Sequence, residues 1–263
     1  MPEAGIIDYR QVCQVLAENI RGEVLTGTQV LRVDSSGAGI SVETTTGTFR
    51  GDHLVNCTGL QCDRVCQLSG GDPELQIVPF KGEYFTVRET ASHLCNHLIY
   101  PVPDPRFPFL GVHLTRMIHG GLEVGPNAIL ALGREAYAGS DLNLRDLFQT
   151  LSYPGFLRLA KKHWRMGFEE WKKSVSKRAF VRALNRLCPD LREQDLLPAP
   201  SGIRAQALHP DGRLEDDFRL LDTPRALHVL NAPSPAATSS LAIGQTIAER
   251  VLKGFELLEI QSG

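Results

Sequence analysis

Near the C-terminus the run Asn231-Ala232-Pro233-Ser234-Pro235-Ala236-Ala237-Thr238-Ser239-Ser240 carries no bulky side chain. Small residues and two prolines let a ligand approach the backbone closely. The helical pattern that follows, Pro235 to Lys253, aims the positive end of its dipole at the same spot. A plain loop-to-helix cap is the alternative, and it leaves the lack of bulk unexplained. Thr58-Gly59 is a second place of this kind. There the strand-like run His53–Cys57 turns into a helical pattern from Leu60 to Leu68. Strand, small-residue turn and helix together expose backbone N–H groups to an anion.

Other chemistries lose their support in the sequence. Gly37-Ala38-Gly39 leads into a strand pattern and lacks a third glycine, so it reads as a hairpin turn and not as a dinucleotide fingerprint. Cys62 and Cys66 stand one helical turn apart, with Cys57 nearby. Structural zinc usually shows paired C-x-x-C knuckles with a fourth ligand, so these cysteines read as buried and incidental, and no metal is expected. No G-x-S-x-G elbow and no H-E-x-x-H is present, which removes the usual marks of a hydrolase. A net charge of -2 provides no global field for nucleic acid. No signal peptide is visible and no apolar run approaches the roughly 18 residues of a membrane span. With six cysteines in no framework spacing, the expected location is the cytoplasm.

One charged stretch stands out. From Arg158 to Arg186 there are ten basic residues, opposed only by Glu169 and Glu170, with Trp164 and Trp171 interleaved. A solvated helical face explains this blandly. A surface that leans on anionic lipid headgroups explains it more sharply.

The elements that must position these residues follow from periodicity. Tyr9 to Arg21 has helical apolar spacing and stops at Gly22. Short β patterns follow at Glu23–Leu25, Gln29–Val33, Gly39–Glu43 and Gly47–Arg50. Ile77 to Gly125 is mostly β, interrupted by the stiff Pro101, Pro103, Pro105 and Pro108 loop. Asp141 to Leu187 turns helical, with breaks at Ser152–Gly155 and near Gly167. Gly202–Leu208 and Ala226–Asn231 read as strands, and the last helix as one capped by Gly254. The fold class is α/β (α+β overall): one domain in two pieces, with a β-rich domain inserted.

Several motifs in fixed order resemble a known family. They are Pro79–Tyr84 (PFKGEY), Ile99–Pro105 (IYPVPDP), Pro108–His113 (PFLGVH), Gly125–Ala128 (GPNA), Gly202–Ala207 (GIRAQA) and the Asn231–Ser240 run. Together, over about Gly5 to Leu252, they resemble the L-2-hydroxyglutarate oxidase/dehydrogenase family, FAD-dependent flavoproteins of the D-amino-acid oxidase group. The resemblance implies oxidation of L-2-hydroxyglutarate to 2-oxoglutarate, with electrons passed to oxygen or to a membrane quinone. It also implies a further segment upstream of Met1 with a G-x-G-x-x-G turn. Residues 1–76 and 198–257 would then be the remaining parts of an FAD-binding, Rossmann-like domain, and 77–197 the substrate-binding domain.

Carried over residue by residue, the resemblance assigns Thr58, Gly59, Gly202, Pro235, Ala236, Ala237, Thr238 and Ser239 to FAD. It puts Arg204 on the substrate carboxylate, a task that suits the two parallel bonds of a guanidinium. A structural pairing with Asp211 or Asp216 is the alternative. Tyr84, Tyr100, Asn127 and Lys81 are implied as further substrate contacts, and His113 as the base that takes the hydroxyl proton. A base from the upstream loop stays open beside His113. An oxidase of another 2-hydroxy or 2-amino acid, or a non-catalytic remnant of the chain, stays open as well. Peripheral contact with an inner membrane would run through residues 158–186.

Overall fold

The computed structural model describes residues 5–37, 39–102, 111–232 and 236–262. Pro235, and the Pro103, Pro105 and Pro108 part of the proline loop, lie outside the described residues. The chain divides into two compact units. One comprises Val78–Leu214 with the first residues up to Asp8, and the other Tyr9–Ile77 with Glu215–Gly263.

The second unit begins with α1 (Tyr9–Glu18), which buries none of its residues. Strands β1 (Val30–Asp34), β2 (Ile40–Thr44) and β3 (Gly47–Gly51) form an antiparallel sheet in chain order. Gly37 and Gly39 thus lie between the paired strands β1 and β2. Strand β4 (Leu54–Asn56) leads through a 3-10 turn at Gly59–Gln61 into α2 (Cys62–Leu68). Glu23–Leu25, expected as a strand, is irregular. Val33, Ile40 and Ala226 make a small core, with Val30, Val42 and Leu54 packed against it.

The β-rich unit contains β5 (Gln76–Gly82), β6 (Phe85–Val87), β7 (His113–Arg116), β8 (Leu122–Gly125) and β9 (Ile129–Leu130). Its helices are α3 (Leu144–Ser152), α4 (Pro154–Val175) and α5 (Lys177–Leu184). Strands β10 (Leu196–Pro198) and β11 (Gly202–Leu208) complete it. Two sheets result, ordered β10-β6-β8-β7 and β11-β5-β9. Local chemistry sets the helix starts. Asn143 accepts a bond from the Asp146 amide at the start of α3, Ser176 caps α5, and Pro154 opens α4. The kink in α4 lies at His163 and not at Gly167, which the helix carries within it.

The core of this unit is one face of the four-stranded sheet covered by α5. Val87, Leu114, Leu122 and Val124 meet Phe180, Val181 and Leu184. Phe85 packs edge-on against Phe180, with ring centroids 4.8 Å apart. Truncating a fully buried phenylalanine such as Phe180 costs on the order of 3–5 kcal/mol. Alternation along β7 and β8 therefore sends His113, Thr115 and Glu123 to the opposite face.

Beyond Leu214, β12 (Arg219–Thr223) and β13 (Ala226–Asn231) pair antiparallel, and β13 runs parallel to β4. A 3-10 turn at Ala236–Ser239 leads into α6 (Ser240–Ser262), which passes through Gly254 instead of ending there. The residues after Gly254 are mostly good helix formers, and they outweigh the cost of about 1 kcal/mol for one interior glycine. The boundary expected at residue 197 falls at Leu214. Strand β11 shares a sheet with β5, and Tyr153 and Arg158 bond the carbonyls of Leu208 and Pro210. Gly202 and Arg204 accordingly lie in the β-rich unit.

Candidate active site

Three of the expected substrate residues, Arg204, Tyr84 and Tyr100, gather with the expected base His113 in the β-rich unit. Arg204, in the middle of β11, hydrogen-bonds the Tyr84 side chain. Tyr84 sits in the turn between β5 and β6. Burial pushes its phenol up, while the Arg204 guanidinium pulls it back down. A methyl group at Gly202 would come within 3.8 Å of the Tyr84 ring, so the start of β11 runs close to that ring.

His113 opens β7. Its Nδ1 lies 3.0 Å from the Gly111 carbonyl, and Tyr100 stacks on its ring with centroids 4.5 Å apart and planes 28° apart. A carbonyl can only accept, so Nδ1 carries the hydrogen and the neutral ring leaves Nε2 with a free lone pair. Burial lowers its proton affinity; the bond to Gly111 opposes this and the Arg204 charge adds to it. A ring held neutral, with its basic nitrogen unused by Gly111, is equipped to receive a proton.

Glu123 was not foreseen. A single glutamate in a β run reads as a solvent-face residue, and only the register reveals its place. It stands opposite Thr115 on β7 and Thr86 on β6, on the face that also carries His113. Burial raises its carboxyl, and its charge is felt by Tyr84.

Lys81 and Asn127 belong to a different network. Asn127 accepts a bond from the Glu83 amide at 2.8 Å and donates to the Glu83 carboxylate at 2.8 Å. Lys81, almost fully buried, lies 3.7 Å from the same carboxylate. This clamp closes where Gly125 has φ +137°, and a Cβ there would meet the Glu83 carbonyl at 2.8 Å. Only glycine fits such a position without strain. Both side chains shape the turn that presents Tyr84.

In the other unit, the parallel strands β4 and β13 place Asn56 beside His228. The Asn56 carboxamide accepts from the Thr58 hydroxyl at 2.7 Å, folding the chain back after β4. It also donates to the Cys62 carbonyl, and its nitrogen lies 3.0 Å from His228 Nδ1. Gly59 has φ +52° with open space where a Cβ would project. Strand β13 is followed by the small residues of the Ala236–Ser239 turn before α6. Two neighbouring parallel strands thus each run on into small-residue segments, an arrangement that suits a phosphate-bearing dinucleotide at carboxyl ends of strands. Thr58, Gly59, Ala236, Ala237, Thr238 and Ser239 are the residues there that could hold it. Among the described residues, no group of three or more His, Cys, Asp or Glu is placed to hold a metal.

Known proteins match this arrangement. An L-2-hydroxyglutarate dehydrogenase of Indibacter alkaliphilus is 46% identical, over 97% of this chain and 65% of that protein. One from Salmonella houtenae is 43% identical, over 95% of this chain and 60% of that protein. The chain therefore spans less than two thirds of the length of these relatives. The solved structure of dithionite-reduced L-alpha-glycerophosphate oxidase from Mycoplasma pneumoniae, with FAD bound, superposes with a TM-score of 0.60. It does so at 17% identity, over 87% of this chain and 50% of that one, and shares the fold. The family described as FAD dependent oxidoreductase (DAO) matches residues 1–250, and the chain belongs to that family.

Proposed function

We propose that this chain is the substrate-handling part, with a portion of the cofactor domain, of an FAD-dependent enzyme that oxidises L-2-hydroxyglutarate to 2-oxoglutarate. The observation that carries the reading is the grouping of Arg204, Tyr84 and a neutral His113 in one unit, in a chain whose relatives bear that substrate in their names. FAD, when bound, supplies the two-electron acceptor for the hydride that leaves C2.

The protein's own residues do the rest. Arg204, steadied by Tyr84, offers paired donors to a planar carboxylate. His113 Nε2 takes the hydroxyl proton as C2 loses its hydride. Tyr100, stacked on His113, fixes the ring plane and brings a hydroxyl to the same place. Burial raises the proton affinity of the Glu123 carboxyl, which stands on the same sheet face as His113. Lys81 and Asn127 act through Glu83 by holding the turn. Thr58, Gly59 and the Ala236–Ser239 turn would lie along FAD, with the start of α6 lending its positive dipole end.

A protein that contains this chain and spans the full length of its relatives should be yellow and convert L-2-hydroxyglutarate to 2-oxoglutarate. Following turnover by oxygen uptake and with a quinone analogue identifies the acceptor. A full-length, flavin-loaded protein that turns over 2-amino acids or other 2-hydroxy acids in preference would overturn the substrate assignment.

A further inference from the structure

A proton taken at His113 needs a way out. Nδ1 of the ring is engaged with the Gly111 carbonyl, so a proton that arrives on Nε2 also leaves from Nε2. Most neighbouring groups cannot receive it. Arg204 is a permanent cation. Tyr84 keeps its own proton, since burial and the Glu123 charge strengthen its hold against the pull of Arg204. Tyr100 lies over the face of the imidazole, away from the in-plane lone pair of Nε2. Glu83 is engaged by Asn127 and Lys81.

Strand register supplies a carboxyl in the remaining direction. His113 pairs with Gly125, which has no side chain, so the first side chain that β8 presents to this face is Glu123, two residues back. Such diagonal neighbours stand about 7–8 Å apart, within reach of a long side chain and a bridging water. Glu123 is flanked by hydroxyls on both sides, with Thr115 directly across on β7 and Thr86 directly across on β6. Among the described residues no hydrogen bond or ion pair holds the Glu123 carboxyl, although it is partly buried. A sheltered carboxyl without a protein partner is left to bind water. Burial also raises its proton affinity, which suits a group that holds a proton briefly. Thr86 is exposed, so the line from His113 through Glu123 to Thr86 ends at solvent.

We infer that Glu123 is the exit for the substrate's hydroxyl proton: His113 Nε2 passes it across one water to the Glu123 carboxylate, which releases it to solvent beside Thr86. The inference rests on the proposed oxidation of a 2-hydroxy acid. In that reaction C2 loses a hydride, with both electrons, to the flavin, and its hydroxyl loses one proton. Each flavin reduction therefore sets one proton free. Glu123 acts through His113, clearing Nε2 for the next substrate.

The test uses the full-length, flavin-loaded protein, reduced anaerobically by L-2-hydroxyglutarate in weak buffer with a pH-indicator dye. Bleaching of the flavin follows the hydride, and the dye follows the proton. Above the ordinary histidine value of 6.5 the parent should release one proton in step with bleaching. In Glu123→Gln, nearly isosteric and with no partner to lose, the dye should lag bleaching by about tenfold or more. Added imidazole should remove the lag, because a small base can then take the proton from His113, and Glu123→Asp should shorten it. Release in step with bleaching in Glu123→Gln would overturn the inference. A lag that imidazole leaves in place would overturn it as well, since that marks a distorted site. A parent that L-2-hydroxyglutarate does not bleach would remove the proposed oxidation and the relay together, whereas bleaching without a lag in the variant removes the relay alone.

Discussion

Arg204 hydrogen-bonds Tyr84, so the cation of β11 and the phenol of the β5–β6 turn are one unit. Replacing Arg204 with lysine keeps the charge and loses the fork. In the full-length enzyme the KM for L-2-hydroxyglutarate should rise at least about tenfold, roughly 1.4 kcal/mol. Tyr84→Phe should move KM in the same direction by a smaller factor, since it removes one support and leaves the guanidinium in place. Steady-state kinetics of both variants checks this, and an unchanged KM in Arg204→Lys would return Arg204 to a purely structural role.

His113 should set the acid side of the rate profile. Its proton affinity is lowered by burial, so the proton-accepting form persists below the ordinary histidine value of 6.5. Flavin reduction should fall as pH drops through that lowered value. His113→Asn should slow reduction by roughly 10²–10⁴ above that value and abolish this limb, with little change in substrate binding. A variant that keeps the parent's rate and pH profile would place the base elsewhere.

Asn127 offers a contrast. With both ends of its amide on Glu83, Asn127→Ala leaves a buried amide and a carboxylate short of partners. Stability should drop by about 1–3 kcal/mol in denaturant titrations, while KM moves far less than in Arg204→Lys. A large KM effect at unchanged stability would make Asn127 a substrate contact.

Acid should weaken the fold before the carboxylates titrate. Burial lowers the proton affinity of His53, His113 and His228. Unfolded histidines take their protons near 6.5, so below that value the unfolded chain binds more protons than the folded one. Stability is thus highest above about pH 6.5, declines as pH falls, and levels off once the lowered folded values are passed. His228 has Nδ1 beside the Asn56 amide and Nε2 beside Ser69, whose hydroxyl is already given to the Cys66 carbonyl. It therefore has no place for a second proton without breaking the Asn56 bond. Thermal melts across this pH range should show His228→Gln with a shallower slope than the parent, and an equal slope in both would exclude His228 as a source.

Much of the frame could be read in the sequence because its signals are local. Gly202–Leu208 and Ala226–Asn231 are apolar runs bounded by turn residues, and both are strands over those bounds. Strand β12 was missed because Arg219–Thr223 follows a charged stretch and becomes a strand by pairing with β13. Motif likeness, not spacing, is what singles out Arg204, Tyr84 and His113 as candidates in the sequence. Glu123 was invisible because its meaning depends on which residues stand across β6 and β7, a non-local property. The roles of Lys81 and Asn127 likewise depend on Glu83, whose partners only the fold brings near.

The most direct measurement is anaerobic flavin reduction in the full-length protein. Mixed with L-2-hydroxyglutarate, the oxidised flavin absorbance should bleach and stoichiometric 2-oxoglutarate should appear. The D enantiomer and the monocarboxylate lactate should leave the flavin oxidised on the same timescale. A flavin-loaded protein that stays oxidised with L-2-hydroxyglutarate, or that is bleached equally by lactate, would contradict the proposed function.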